Sequence, residues 1–421
     1  MPTPKSQCCR DEIMKIELSL IMKICVFCSI IYSSIMSAPA TASAIKEFEL
    51  KTGKGVTGEI NWPGGEFSAW SGNIIILVGS LAYSDRDGWS LSTPSSTWAD
   101  RLPKKELADS LVKSGNMVAR FENPGVRSTI KQCRSIANQS LPNQIGLAKY
   151  CVDEFASKQV TQDDMLDSID AVVNYLKMTV PKGANKIVLF GMSEGIAHIA
   201  KIIDDRRISV AAVVAVGSPP MPLKDVTRWQ FVDRVVDSVF MLDKEKRGFV
   251  SNDEVIKAFE RKEIDFMSFS ETLLNLKDGR WDDGNIIILR KRLEFNYERA
   301  LSTIKNKSIG TENGFLPNGA EIPLFPSSLI ELHFFDDLDP VKVLKDKNIP
   351  SIWFFGGLDK QINVEESRFL LSKDINLKTQ FRLYTDRHHL LSKSADLDWM
   401  EIEFMRFVSQ DVTAFIGQTL K

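Results

Sequence analysis

The chain has 421 residues, enough for one large α/β domain with an insertion or for two domains, and its 43% apolar and 26% charged composition excludes disordered, collagen-like and coiled-coil chains. A formal net charge of −2 with no long basic run leaves neither an electrostatic footprint for nucleic acid nor a polybasic membrane patch.

At the N-terminus, Lys15 and Lys23 precede an apolar run, Ile24 to Met36, that ends in Ser37-Ala-Pro-Ala-Thr-Ala-Ser-Ala44. This is the pattern of a secretory signal peptide over residues 1–44, with cleavage expected after Ala44 or Ala40 and with Met14 or Met22 as alternative starts. The run is about 13 residues, short of the ~20 a spanning helix needs, so the mature chain is expected to lack a transmembrane segment and to be secreted or periplasmic. Cys8, Cys9, Cys25 and Cys28 leave with the leader. Cys133 and Cys151 remain, and an exported chain with two cysteines is expected to pair them. The intervening Arg134 to Tyr150 reads as a loop, which such a cross-link would stabilise by roughly 3 kcal/mol.

Residues 45–220 read as the first part of an α/β core. Phe48-Glu-Leu50 and Gly55 to Ile60 alternate as a hairpin at a sheet edge, closed by Pro63-Gly-Gly65. Asn73-Ile-Ile-Ile-Leu-Val78 is a near-continuous apolar run, the mark of a strand buried on both faces, and leads into a loop carrying Asp85-Arg-Asp-Gly88. Those charges either clamp the loop by ion pairing or form a solvated turn. Leu107 to Lys113 reads as a helix, Met117 to Phe121 as a strand, and Asn123-Pro-Gly125 as a turn. Thr161-Gln-Asp-Asp164 is an N-cap with acids in the first turn, followed by Met165, Ile169, Val172 and Leu176 on one helical face.

Next comes Asn185-Lys-Ile-Val-Leu-Phe-Gly-Met-Ser-Glu-Gly195: a buried strand, a Gly-x-Ser-x-Gly turn, and helical spacing from Ile196 to Ile203. A serine on so sharp a turn leaves the sheet edge with its hydroxyl free, and the flanking glycines admit backbone where a Cβ would clash. Ser193 is therefore the candidate nucleophile. Val210 to Val216 is a further buried strand. Strands alternating with helices imply a mostly parallel, doubly wound sheet.

The alternation stops over residues 221–337, where Trp229 to Leu242 and Asp253 to Arg261 are charged and helix-like; a largely helical insertion is expected. Residues 338–421 resume the core with the strand Ile352 to Phe355, a helix from about Glu365 to Ser372, the strand Gln380 to Tyr384, and a C-terminal helix from about Leu397 to Phe415.

A serine hydroxyl needs a histidine to take its proton, and that histidine needs a carboxylate to hold its tautomer. His198 lies five residues past Ser193 and reads as a surface or packing residue; His333 falls in the insertion; His388 and His389 follow the last strand. Asp359 ends Gly356-Gly-Leu-Asp359, straight after a strand. Ser193, Asp359 and a late histidine thus stand at the C-terminal ends of successive strands, where open parallel sheets hold their sites.

These features resemble the serine α/β-hydrolases, in particular bacterial esterases and peptidase-like hydrolases with an Asp-Arg-Asp-Gly loop. Leu107-Ala-Asp-Ser-Leu, Val118-Ala-Arg-Phe, Pro124-Gly-Val, Asp339-Pro340, Asp359-Lys-Gln-Ile362 and His389-Leu-Leu391 carry the resemblance. It implies an α/β-hydrolase fold with a cap, His389 as base, Asp359 as its partner, and an oxyanion hole from the backbone N–H groups of Glu194 and of Ser80 or Leu81. Val78-Gly79 stands where many members have His-Gly, so the position of that loop is not set by the resemblance. The implied activity is hydrolysis of a carboxylic ester, amide or thioester of a small or lipid-like acyl substrate, without an organic cofactor. An acyltransferase on the same residues and a non-catalytic binding protein of the same fold are the alternatives.

Within the insertion, residues 243–254 resemble an EF-hand loop: Asp243, Glu245, Gly248, Val250, Ser251 and Glu254 occupy the first, third, sixth, eighth, ninth and twelfth positions. Side chains of Asp243, Glu245, Ser251 and Glu254 and the Phe249 carbonyl could serve calcium. Arg247, at the fifth position, cannot ligate a cation and repels one, as Lys244 and Lys246 do more weakly. A helix-loop-helix that keeps the shape without the ion is expected, and no second such loop is evident.

Overall fold

A computed structural model of the chain describes residues 43–51, 55–81, 84–88, 102–126, 160–206, 208–261, 273–306, 314–315, 321–322, 327–373, 378–394 and 399–420. The leader, apart from its last two residues, lies outside them, as do Cys133 and Cys151. No helix among the described residues is long and apolar enough to cross a membrane.

In chain order the structure opens with the hairpin β1 (Ala44–Leu50) and β2 (Val56–Trp62), then β3 (Ile74–Val78), helix α1 (Pro103–Lys113) and β4 (Met117–Phe121). Helix α2 (Gln162–Thr179) follows, with β5 (Ile187–Met192), α3 (Gly195–Asp205) and β6 (Ala212–Val216). The start of α2 is the expected one: the Thr161 hydroxyl accepts the Asp164 N–H and the Asp164 carboxylate accepts the Thr161 N–H, so two otherwise orphaned donors are satisfied.

Past β6 the chain forms α4 (Leu223–Arg228), a π-helical turn over Trp229–Asp233, α5 (Arg234–Phe240), β7 (Phe249–Ser251), α6 (Asn252–Glu260), β8 (Arg280–Asp282) and α7 (Ile286–Asn306). Two short strands, β9 (Gly314–Phe315) and β10 (Glu321–Ile322), and α8 (Ser327–Phe335) complete this stretch. The core then resumes with α9 (Pro340–Asp346), β11 (Ser351–Gly356), α10 (Val364–Lys373), β12 (Thr379–Tyr384) and α11 (Ile402–Thr419).

Eight strands form one sheet in the order β1-β2-β4-β3-β5-β6-β11-β12. The hairpin edge is antiparallel, and β4, β3, β5, β6, β11 and β12 run parallel. Strands β3, β5, β6 and β11 are buried along their whole length, which explains their unbroken apolar sequences. Alternate side chains serve opposite cores: Ile74, Ile76 and Val78 join α2, α3, α9 and α10 on one face, and Ile75 and Leu77 join α1 and α11 on the other. All parallel strands therefore point their C-terminal ends to one edge.

The stretch between β6 and α9 adds no described strand to this sheet. It has its own apolar cluster around Val239, Val250, Val255, Trp281 and Leu289, and an aromatic one of Phe231, Tyr297 and Phe334 with ring centroids 5.6–6.3 Å apart. The sequence gives no hint of a partner for the 243–254 loop, yet one is present. Strand β7 pairs antiparallel with β8, placing Val250 opposite Trp281, and Gly248 (φ +80°) and Gly279 (φ +68°) turn two residues before each. The Asn252 side chain clasps the Asn275 backbone from both sides, accepting its N–H at 2.9 Å and donating to its carbonyl at 3.1 Å. The two loops are thus joined by a short antiparallel ribbon, with α5 and α6 flanking the first loop and α7 leaving the second.

Candidate active site

Strand β5 delivers Ser193 into a left-handed backbone conformation (φ +52°), uncommon for a residue with a Cβ and held here by its N–H donating to the Val216 carbonyl at 3.0 Å. Two glycines make that turn possible. A Cβ on Gly195 would lie 2.3 Å from the Val78 carbonyl oxygen, and one on Gly191 would lie 3.0 Å from the Ile196 nitrogen, so α3 packs against β3 and β5 only without them.

Asp359 lies on the turn after β11 and His389 in the loop after β12. His389 Nε2 is 3.1 Å from Ser193 Oγ, and His389 Nδ1 is 2.9 Å from Asp359 Oδ2. The other Asp359 oxygen accepts the N–H groups of Gln361 at 2.7 Å and Ile362 at 3.3 Å, which fixes the carboxylate against rotation. A carboxylate only accepts, so His389 carries its proton on Nδ1 and turns a lone pair on Nε2 toward the serine. The neighbouring His388 makes no such approach. Leu390 and Leu391, both in left-handed backbone, are buried beneath β6 and β11 and hold His389 in place.

Gly79, Ser80 and Leu81 leave the end of β3 beside this group. The Ser80 carbonyl accepts from Asn123 Nδ2 at 2.6 Å, and the Leu81 N–H donates to Glu194 Oε1 at 2.8 Å. The Leu81 amide is thus committed to the Glu194 side chain. His198 is wholly buried and no surface residue; its Nε2 is 3.0 Å from Glu194 Oε1, and His333 Nε2 from α8 is 2.6 Å from Glu194 Oε2. Burial raises the Glu194 pKa, but the hydrogen bonds from His198 and His333, with their charge, outweigh it and hold the carboxyl well below the usual range.

The Asp-Arg-Asp-Gly stretch is a buried clamp. Asp87 bonds Arg120 of β4, which also bonds Glu59 of β2, while Arg86 reaches Glu47 at 2.9 Å and Glu122 at 3.6 Å. Lys104 of α1 donates to the Asp85 carbonyl at 3.2 Å and lies against Gly79. Burial brings the Lys104 pKa down to about 8 and pushes Glu122 up to about 7.

The stretch between β6 and α9 reaches the same edge. Gln230 Nε2 donates to the Gln361 carbonyl at 2.5 Å and Arg234 to that of Lys360, the two residues after Asp359. Farther off, the calcium candidates lie together around Arg247. Asp243 accepts the N–H groups of Arg247 at 2.9 Å and Gly248 at 2.6 Å, and Ser251 and Glu254 cap α6 reciprocally. Glu245 stands 3.9 Å from the same guanidinium, and Phe249 lies under it at 4.7 Å from the ring centre. Among the described residues no group of three or more His, Cys, Asp and Glu side chains is arranged to hold a metal ion.

A parallel sheet of this strand order, a serine on a left-handed strand-to-helix turn, and acid and histidine on the loops after later strands define the α/β-hydrolase fold. No protein-family model matches the chain, and no curated protein does. Among solved structures it is similar to an esterase from Pyrococcus furiosus (13% identity, 89% of this chain and 91% of that one, TM-score 0.42). It is also similar to an α/β hydrolase from Penicillium (13%, 90% and 99%, 0.44) and a bromoperoxidase from Bacillus anthracis (16%, 89% and 100%, 0.41).

Proposed function

We propose that the protein is an exported serine hydrolase that splits a carboxylic ester through an acyl-enzyme on Ser193. The observation that carries this reading is the continuous chain Ser193 Oγ, His389 Nε2 and Nδ1, Asp359 Oδ2. As Oγ attacks the acyl carbon, Nε2 takes its proton and Asp359 stabilises the resulting imidazolium through Nδ1–H. The carbonyl oxygen gains charge and is met by the N–H groups of Glu194 and Ser80, aimed before reaction begins. His389 then returns the proton to the leaving alcohol, and a water deprotonated by the same Nε2 releases the acid. The residues supply nucleophile, base and electrostatic stabilisation, so the reaction calls for no organic cofactor. Residues 221–337 serve as the cap of the acyl pocket, in keeping with their contacts at Glu194, Lys360 and Gln361.

Initial rates on p-nitrophenyl esters of graded acyl length test this. The wild-type chain should turn over at least one, and Ser193→Ala should lose about 10⁴-fold or more, as removal of one member of such a group does. A Ser193→Ala rate equal to the wild-type rate would sink the reading.

A further inference from the structure

The Glu194 side chain joins three parts of the protein that are far apart in sequence, and nothing in the chemistry above uses it. It is 4% exposed, and its two oxygens meet the Leu81 N–H, His198 Nε2 and His333 Nε2. An ionised carboxylate only accepts, so both imidazoles donate through Nε2–H. His198 Nδ1 is buried with no hydrogen-bond partner, so Glu194 is the group that holds this ring.

The consequence lies in one peptide plane. The Ser80 carbonyl and the Leu81 N–H belong to the same planar unit, and they are held from opposite edges, the carbonyl by Asn123 at 2.6 Å and the N–H by Glu194 at 2.8 Å. With that plane fixed at both ends, the Ser80 N–H is separated from it only by the two backbone torsions of Ser80. Two side chains outside the reacting group thus narrow the directions open to it. Glu194 also contributes its own backbone N–H at the elbow, so one residue would place both donors of the oxyanion hole.

We infer that the Glu194 carboxylate is a positioning residue, clamping the Ser80–Leu81 peptide and helix α8 to the nucleophile elbow so that the Ser80 amide faces the developing oxyanion. This rests on the proposed function for its kinetic part, and on geometry alone for the clamp. The wedge between ground state and transition state follows: loss of aim weakens oxyanion binding and leaves ester binding nearly unchanged.

The test uses the full mature chain as wild type, Glu194→Gln, Glu194→Ala and Asn123→Ala, with a good ester substrate and an alkylboronic acid as tetrahedral mimic. Both Glu194 variants and Asn123→Ala should lower kcat by about 10- to 100-fold, less than outright loss of a donor, and raise the boronate Ki by a similar factor, with KM changing less than about threefold. Hydrogen exchange at the Leu81 amide should speed up in both Glu194 variants, a readout independent of turnover. Unchanged kcat and Ki in Glu194→Gln and Asn123→Ala, beside an active wild type, would overturn the positioning role. Unchanged Leu81 exchange in Glu194→Ala would overturn the clamp itself. A wild-type chain inert to every ester, with Leu81 exchange still faster in the variants, would overturn the proposed function and the kinetic part while upholding the clamp.

Discussion

The Arg247 guanidinium donates to the Glu254 carboxylate at 2.5 Å, joining the fifth and twelfth positions of the loop whose sequence resembles an EF-hand. Arg247 also lies 3.4 Å from Asp243 at the first position. A cation covalently part of the loop thus stands among the acids that would otherwise gather around calcium. In the second loop, Asn275 Nδ2 donates to the Arg280 carbonyl at 2.7 Å, and Asp282 Oδ1 is taken up by the N–H groups of Gly284 and Asn285 at 3.0 Å each.

Calcium binding should accordingly be no tighter than the millimolar range, and activity should not respond to a chelator. Calorimetry on the wild type and on Arg247→Asn checks this. The variant, which frees Asp243 and Glu254, should bind more tightly; a wild-type dissociation constant in the micromolar range, abolished by Glu254→Gln, would overturn the prediction.

Arg120 is 1% exposed and bonded to Asp87 and Glu59, so its truncation strands two acids at the root of the Asp85–Gly88 turn. Removing one partner of a buried ionic group costs about 3–5 kcal/mol. Arg120→Ala should show that loss in denaturant unfolding at neutral pH, and a change under about 1 kcal/mol would mean the network is solvated.

Glu122 lies in the same network, with its pKa raised to about 7, chiefly by burial. A carboxyl whose folded pKa exceeds its unfolded one binds the proton more strongly when folded. Its contribution to stability is therefore full below the unfolded value and is lost as pH climbs through about 7. Glu122→Gln keeps the protonated shape at every pH. The variant should gain stability relative to wild type between pH 5 and 8, measured as the difference in melting temperature; a difference that does not change with pH would contradict it.

Export and the Cys133–Cys151 pairing, both outside the described residues, are checked by one intact-mass experiment. Protein from an exporting host should begin near Ile45 and gain two hydrogens on reduction. Two thiols reactive toward iodoacetamide in unfolded, unreduced protein would show the disulfide is absent.

Much of the fold could be read from apolar runs alone, because a strand buried on both faces has nowhere to hide a polar residue: Ile74–Val78, Ala212–Val216 and Ser351–Gly356 all lie in or beside the runs that announce them. His389 was separable from His388 only through Leu390 and Leu391, whose burial fixes the loop's register. Glu194 was harder. The resemblance uses Glu194 only for its backbone N–H, although its spacing of four from His198 is a usable signal for the side chain. His333 offered none, since it approaches Glu194 across 139 positions. The second loop departs from the calcium-loop spacing although Asp278, Asp282 and Asp283 lie in it, and its pairing through Val250 and Trp281 is a long-range contact that spacing does not announce. The helix read across Trp229 to Leu242 is interrupted by the π-helical turn, a backbone event that periodicity does not resolve.

Labelling by a fluorophosphonate probe, with the adduct mapped by mass to a peptide, tests the central claim most directly. The account predicts one adduct, on Ser193, absent from Ser193→Ala, strongly slowed in His389→Ala and retained in His388→Ala. An adduct on another residue, or equal labelling of Ser193→Ala, would contradict it.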